Sequence, residues 1–240
     1  RRDLRERILF TIDGATAKDF DDAVGIEQLP DGTFLMTVAI ADVAHVVKRD
    51  TLLDEEARNR GFSVYFPEAA IPMLPEVLSN GIMSLKPGEE RLAMAVEIHL
   101  GPRGRLLGFD CFEAVIRSRA RLVYEELNPF IERGCPPDYL DTDVASRVME
   151  LHRMAGHLYR NRMRRGALDF DISEVGITIG HDGDVDRIYR YRRGPAERLI
   201  EESMLLANHA VCMYLERRSM PVLYRVHEKP KAEDLLALME

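Results

Sequence analysis

Four aspartates fall within ten residues, in Thr11-Ile12-Asp13-Gly14-Ala15-Thr16-Ala17-Lys18-Asp19-Phe20-Asp21-Asp22-Ala23-Val24. Ile8-Leu9-Phe10-Thr11-Ile12 reads as a buried strand and Ala23-Val24-Gly25-Ile26 as another, so Asp13, Asp19, Asp21 and Asp22 occupy a tight connection between core elements. Like charges this close repel one another unless cations or cationic side chains neutralise them. A fold that contains this segment must hold its acids at the rim of the core and face them with positive charge. Carboxylate oxygens suit a hard divalent ion such as Mg²⁺ or Mn²⁺. Two such ions can clamp the attacking and leaving oxygens of a phosphodiester.

Three other readings of the segment compete. Acidic runs are commonly solvated loops, but this one is closed in by apolar strands. An EF-hand would need regularly alternating ligands, a central glycine and a closing glutamate, none of which is in place. Asp19-Phe20-Asp21 has the DxD form of aspartyl phosphotransferases but lacks the apolar strand before it and the threonine after it.

The rest of the chain supports a folded globule. With 240 residues and 46% hydrophobic content, it can build one large domain or two small ones. No repeat, low-complexity tract or linker divides it. Residues 1–7 read as the end of a connection from a preceding domain, which leaves 8–240 as a single domain. The longest apolar runs, such as Leu35-Met36-Thr37-Val38-Ala39-Ile40-Ala41, are too short to cross a bilayer, and the charged start lacks a signal peptide's apolar segment. A soluble, cytoplasmic protein without a membrane partner is expected. Cys111, Cys135 and Cys212 are odd in number and widely spaced, and His152 and His157 are five apart, so neither a disulfide framework nor a zinc site is expected.

A net charge of −8 argues against indiscriminate polyanion binding. Local basic runs nevertheless stand at Arg117 to Arg121, Arg160 to Arg165 and Tyr189 to Arg193, and beside an acidic metal site they read as phosphate tracks.

Segment by segment, Gly25 to Leu29, the Pro30-Asp31-Gly32 turn and Thr33 to Asp42 form an expected hairpin. Asp50 to Arg60 reads as a short helix stopped by Gly61. Phe62 to Glu90 reads as an ordered loop wrapped on the core. Leu92 to Leu100 and Leu106 to Leu122 are strand-like. Long helices are expected at Asp141 to Arg164 and Pro195 to Arg218, with strands near Gly176 to Tyr191 and at Pro221 to Val226, and a last helix from Lys231. This order predicts an α+β fold, a mixed and largely antiparallel sheet flanked by helices.

The acidic segment, taken with its surroundings, resembles the catalytic RNB domain of the ribonuclease II and ribonuclease R exoribonuclease family, nearest its ribonuclease R branch. The likeness continues through Ile40-Ala41-Asp42-Val43-Ala44-His45, Arg60-Gly61-Phe62-Ser63-Val64-Tyr65-Phe66-Pro67, Ile71-Pro72-Met73-Leu74-Pro75 and Leu78-Ser79-Asn80-Gly81. It resumes in Arg165-Gly166-Ala167-Leu168-Asp169-Phe170, in Ile200 to Asn208 and in Tyr224-Arg225-Val226-His227-Glu228.

That resemblance implies hydrolysis of single-stranded RNA from its 3′ end, releasing nucleoside 5′-monophosphates. Asp13, Asp19, Asp21 and Asp22 match the family's four active-site aspartates, holders of Mg²⁺ (or Mn²⁺), with Asp21 the most sensitive position. Tyr65 and Phe170 match aromatics that stack on the RNA from either side, worth about 1 to 3 kcal/mol per base. Tyr124 and Glu201 match contacts to the terminal nucleotides. Read on their own, Tyr124 could pack at a helix start and Glu201 could pair with Arg198 or Arg193. Asn80 and Arg91 could support the loop over the site. The family's catalytic domain continues beyond the matched part to an arginine-bearing Thr-Ser-Pro-Ile-Arg-Arg-Tyr motif, which this chain lacks. Cold-shock-like and S1 RNA-binding domains are implied in the parent chain. A noncatalytic RNA-binding or scaffolding relative is the alternative.

Overall fold

The computed structural model describes residues 1–66, 69–169, 174–180, 184–226 and 228–239. The chain opens on β1 (Arg2–Leu4) and continues as β2 (Phe10–Asp13). The acidic loop leads into β3 (Asp22–Gln28), which turns back as β4 (Phe34–Ala41). Helices α1 (Val43–Val46) and α2 (Leu52–Arg60) follow, the second starting at the Thr51 cap and stopped by Gly61 at φ 78°. A small ribbon of β5 (Val64–Tyr65) and β6 (Ala70–Ile71) and a π-helical turn at Leu78–Ile82 precede β7 (Glu90–Leu100), β8 (Leu106–Arg117) and β9 (Ala120–Val123). The remainder is α3 (Tyr124–Arg133), α4 (Thr142–Arg164), the hairpin β10 (Glu174–Ile179) and β11 (Val185–Tyr191), α5 (Pro195–Glu216) and α6 (Ala232–Met239).

Seven strands form one sheet in the order β1-β8-β7-β4-β3-β2-β9. Its two ends are also its two continuations: β1 runs on into β2, and β8 into β9 after only Ser118 and Arg119. Both of those pairings are parallel, Arg2 to Leu4 against Ala114 to Ile116 and Phe10 to Asp13 against Ala120 to Val123. The sheet therefore returns on itself, with residues 2–13 lying along 114–123. At the corner, the Arg119 N–H donates to Leu9 O at 2.6 Å. β3 passes close beneath, and Gly25 makes that possible: a Cβ there would come within 2.3 Å of Ile8 O.

Alternation along the strands divides the core. One face carries Phe10, Ile12, Val24, Met36, Val38 and Ile98 against α3, α4 and α5. The α4 stripe of Val144, Val148, Leu151, Ala155 and Leu158 recurs at three and four residues, as helical burial requires. The other face is floored by small residues, Ala23, Ala39, Ala41, Ala93 and Ala114. Phe20, Leu74, Met83 and Leu85 lie directly on that floor. The acidic loop is thus seated on the sheet through Phe20.

The expected α+β architecture is present, with local differences; the expected loop of residues 62–90 also holds the β5–β6 ribbon and the π-helical turn. Within residues 1–7, expected to be a connection, Arg2–Leu4 is an edge strand paired with β8. The strand-like run from Leu106 to Leu122 breaks at Ser118, and its last part crosses to the partner β2 at the other end of the sheet. Pro221 to Val226 forms no strand; Leu223 is fully exposed, so an apolar, β-prone run has no neighbour to pair with.

Candidate active site

Asp13 ends β2 and Asp22 begins β3, so the sheet itself fixes the two outer acids of the cluster. Asp19 and Asp21 flank Phe20, which is 6% exposed. The Phe20 N–H donates to Ser84 Oγ at 3.0 Å, and that hydroxyl donates to Lys18 O at 2.9 Å. Leu85 N–H donates to Phe20 O and Ala41 N–H to Asp21 O, at 2.8 and 2.9 Å. Arg91, in turn, donates to Ser84 O and Gly81 O, which holds the segment carrying Ser84.

Arg121 of β9 closes the loop from the opposite side. Its Nη2 donates to Ala15 O at 2.8 Å and Gly14 O at 3.2 Å, and its guanidinium lies 5.2 Å from the Phe20 ring centre. The basic run at 117–121 is therefore partly used inside the fold: Arg117 pairs with Glu6, and Arg121 grips the acidic loop.

The four carboxylates act on one another. Burial, and after it the charge of Asp22, pushes Asp13 up to about 7, with Arg121 opposing and Asp19 adding. Burial and then Asp21 raise Asp22 to about 6, while partial burial and then Asp19 raise Asp21. Asp13 Oδ2 and Asp22 Oδ2 are buried without a hydrogen-bond partner. Orphaned carboxylate oxygens of this kind match the donor type of a hard cation. No set of three or more His, Cys, Asp or Glu side chains among the described residues is gathered tightly enough to hold an ion as it stands.

Two expected RNA contacts come to this place. Tyr65 is 68% exposed, and its hydroxyl donates to Asp19 Oδ2 at 3.3 Å. Tyr124, the first residue of α3, is half-buried; burial, then the charges of Asp22 and Asp13, push its phenol up. Glu201 instead accepts from Arg162 at 3.3 Å and Arg193 at 3.5 Å, which includes one of the two pairings its helix position suggested. Asn80 lies in the π-helical turn beside Arg91's contact at Gly81. Phe170 lies outside the described residues. Sequence reasoning missed Ser84 and Arg121 as parts of the site. Arg121 had a signal, a cation within a short basic run, but nothing in the sequence marks Ser84.

The model for the RNB domain matches residues 1–240. The chain belongs to the RNB domain family. This RNB domain is 43% identical to ribonuclease R of Thermotoga maritima over 99% of its length, and it spans 34% of that relative, about a third. The structure of Mycoplasma genitalium RNase R in complex with ribose-methylated single-stranded RNA superposes with a TM-score of 0.94 at 32% identity, covering 99% of the RNB domain and 37% of that chain. Yeast Ssd1, a pseudonuclease, shares the fold at a TM-score of 0.76 and 17% identity, with 99% of this chain and 29% of that chain covered. Among the described residues no helix is long and apolar enough to cross a membrane.

Proposed function

We propose that this chain is the metal-holding part of a 3′-to-5′ exoribonuclease that hydrolyses single-stranded RNA to nucleoside 5′-monophosphates. The observation that carries the reading is the pair of buried, partnerless oxygens on Asp13 and Asp22, at the two ends of an acidic loop in an RNB domain. Asp13, Asp19, Asp21 and Asp22 would hold Mg²⁺, or Mn²⁺ in its place. The bound ion supplies neutralising charge and an acidified water. The aspartates orient the attacking water and take its proton. Tyr65 offers an exposed ring for stacking on the 3′ nucleotides, and its tie to Asp19 sets where that ring stands relative to the acids. Tyr124 offers a phenol that stays protonated and can donate to a phosphate or ribose oxygen. Phe170 and Glu201 are assigned to the RNA path on the resemblance alone.

The chain spans about a third of the Thermotoga relative, so the activity of the whole protein rests on more than these residues. Cold-shock-like and S1 domains and a phosphate-gripping arginine are proposed for the longer protein. Loss of a preorganised cation costs a phosphoryl-transfer site several kcal/mol, so the 240-residue chain alone is expected to bind metal and cleave weakly or not at all. In the full-length protein, Asp21→Asn should abolish release of monophosphates while RNA affinity, measured by filter binding, stays near that of the parent. Surviving turnover would remove the metal-site assignment. The alternative, a noncatalytic RNA-binding or scaffolding relative, is read out by the same assay. The intact set of four aspartates favours catalysis.

A further inference from the structure

A second charged feature lies at the far end of the sheet. A cleft of about 840 Å³ opens between the β7–β8 turn, the end of α4 and the middle of α5. Arg103 and Arg105 enter it from the turn, Arg164 and Arg165 from α4 and the residue that caps it, and His209 from α5. All four arginines are exposed, and none has a carboxylate in ion-pair reach among the described residues. In a chain of net charge −8, four exposed guanidinium groups without an ion pair are gathered around one opening.

The opening is built. Gly104, at φ +73°, lets the turn lie against α4: a Cβ there would stand 3.2 Å from Leu158 Cδ2 and 3.3 Å from His157 Cβ. Asn161 Nδ2 donates to Arg103 O at 2.9 Å and pins the turn in place. Arg162 is anchored by Glu202, 3% exposed, at 2.6 Å. The dipole of α4 accounts for cations at its C-terminal end. It gives no reason for two more to be brought opposite them by a clamped turn. Leu106, Leu158, Leu205 and Leu206 floor the cleft, so it offers apolar surface to sugar or base as well as charge to phosphate. Along β3, six residue steps lead from Asp22 to Gln28, whose ladder runs through Phe34 and Leu100 to Leu106 at the cleft's end of the sheet. At roughly 3.3 Å per residue along the strand and about 4.8 Å per strand across to β8, the cleft is about 25 Å from the acids.

We propose that this cleft binds the phosphodiester backbone of an RNA strand several nucleotides upstream of the 3′ end, with Arg103, Arg105, Arg164 and Arg165 as its phosphate contacts. The inference rests on the exoribonuclease reading, because that reading supplies the strand. Guanidinium forks suit phosphate oxygens, and contacts of this kind carry no sequence preference. Free mononucleotide, the product of the same reaction, presents the same phosphate chemistry and is the competing source.

The test measures binding of a long, labelled oligouridylate by fluorescence anisotropy, without divalent metal, over a range of salt. The protein is compared with the pairs Arg103→Gln/Arg105→Gln and Arg164→Gln/Arg165→Gln. Each pair should weaken binding by roughly tenfold and flatten the log–log salt dependence by about 1.4, the value for two single-strand phosphates. Modification of the unsubstituted protein with phenylglyoxal, mapped by mass spectrometry, should show all four arginines protected by the oligonucleotide, and this readout survives any misfolding of the variants. Unchanged affinity and slope in both pairs, or absence of protection, overturns the proposal. So does protection by uridine monophosphate equal to that by the strand, which would make the cleft a mononucleotide site. If the unsubstituted protein binds no RNA, the exoribonuclease reading falls and this one with it; if it binds RNA and both pairs are silent, only this one falls.

Discussion

At the scale of single residues, the acidic cluster is a strained set of charges with one internal cation. Among the described residues Arg121 is the arginine that grips the loop's carbonyls, and its Nε is buried without a partner. Arg121→Met should remove charge-assisted hydrogen bonds worth about 2 kcal/mol, read as a lower urea midpoint, and it should push Asp13 higher still. Arg121→Lys, which keeps the charge but loses the fork, should recover the Asp13 ionisation more than the midpoint. The sign of the pH dependence follows from the raised carboxyls. Asp13 at about 7 and Asp22 at about 6 bind protons more tightly folded than unfolded. Their contribution is therefore fully present below about pH 4 and is lost as pH rises to about 7. Saturating Mg²⁺ should offset that loss. At a hundredfold excess over its dissociation constant it adds about 2.7 kcal/mol, so the Tm should rise by roughly 5 to 10 °C at pH 8 and clearly less at pH 5, where protons compete. Equal Tm shifts at the two pH values would separate Mg²⁺ binding from these carboxyls. The aspartates were legible because charge density between apolar strands is a local sequence property. Ser84 was not, since its role depends on a contact made 64 residues away in the chain.

At the scale of elements, the long helices and hairpins followed from period and punctuation, because α4 carries its own cap and apolar stripe, α5 its opening proline and apolar stripe, and β3–β4 its turn residues. The failures occurred where pairing is decided by distant partners. Ser118 and Arg119 do not look like a strand break, yet the chain there passes from β7's neighbour to β2's. Pro221 to Val226 has strand composition and no mate. The N-terminus of α5 is a further case of distant control. Gly194 has no side chain to cap it, and Asn128 of α3 accepts from Ala196 N–H at 2.8 Å while donating to Glu197 at 3.0 Å. Asn128→Ala should cost about 1 kcal/mol by chemical denaturation. Because Glu197 is one of the charges acting on Tyr124, the same change should also move the Tyr124 titration.

At the scale of the whole molecule, the sheet's return on itself brings β2, β3 and β9 to one rim, and that rim is where the acids, Arg121 and Tyr124 meet. The point of closest approach is Gly25, so Gly25→Val should cost more than about 3 kcal/mol and leave little soluble protein; near-normal expression with an unchanged Tm would show that the corner can open. The same geometry limits how molecules can meet. β1 covers only Ala114 to Ile116 of the twelve-residue β8, so Leu106 to Glu113 keep an outer edge that no strand pairs among the described residues. Self-association of this chain should therefore begin at that open edge, and Leu107→Lys, which places a charge on it, should keep the protein monodisperse in light scattering where the parent forms larger species; equal association of the two would place the contact elsewhere.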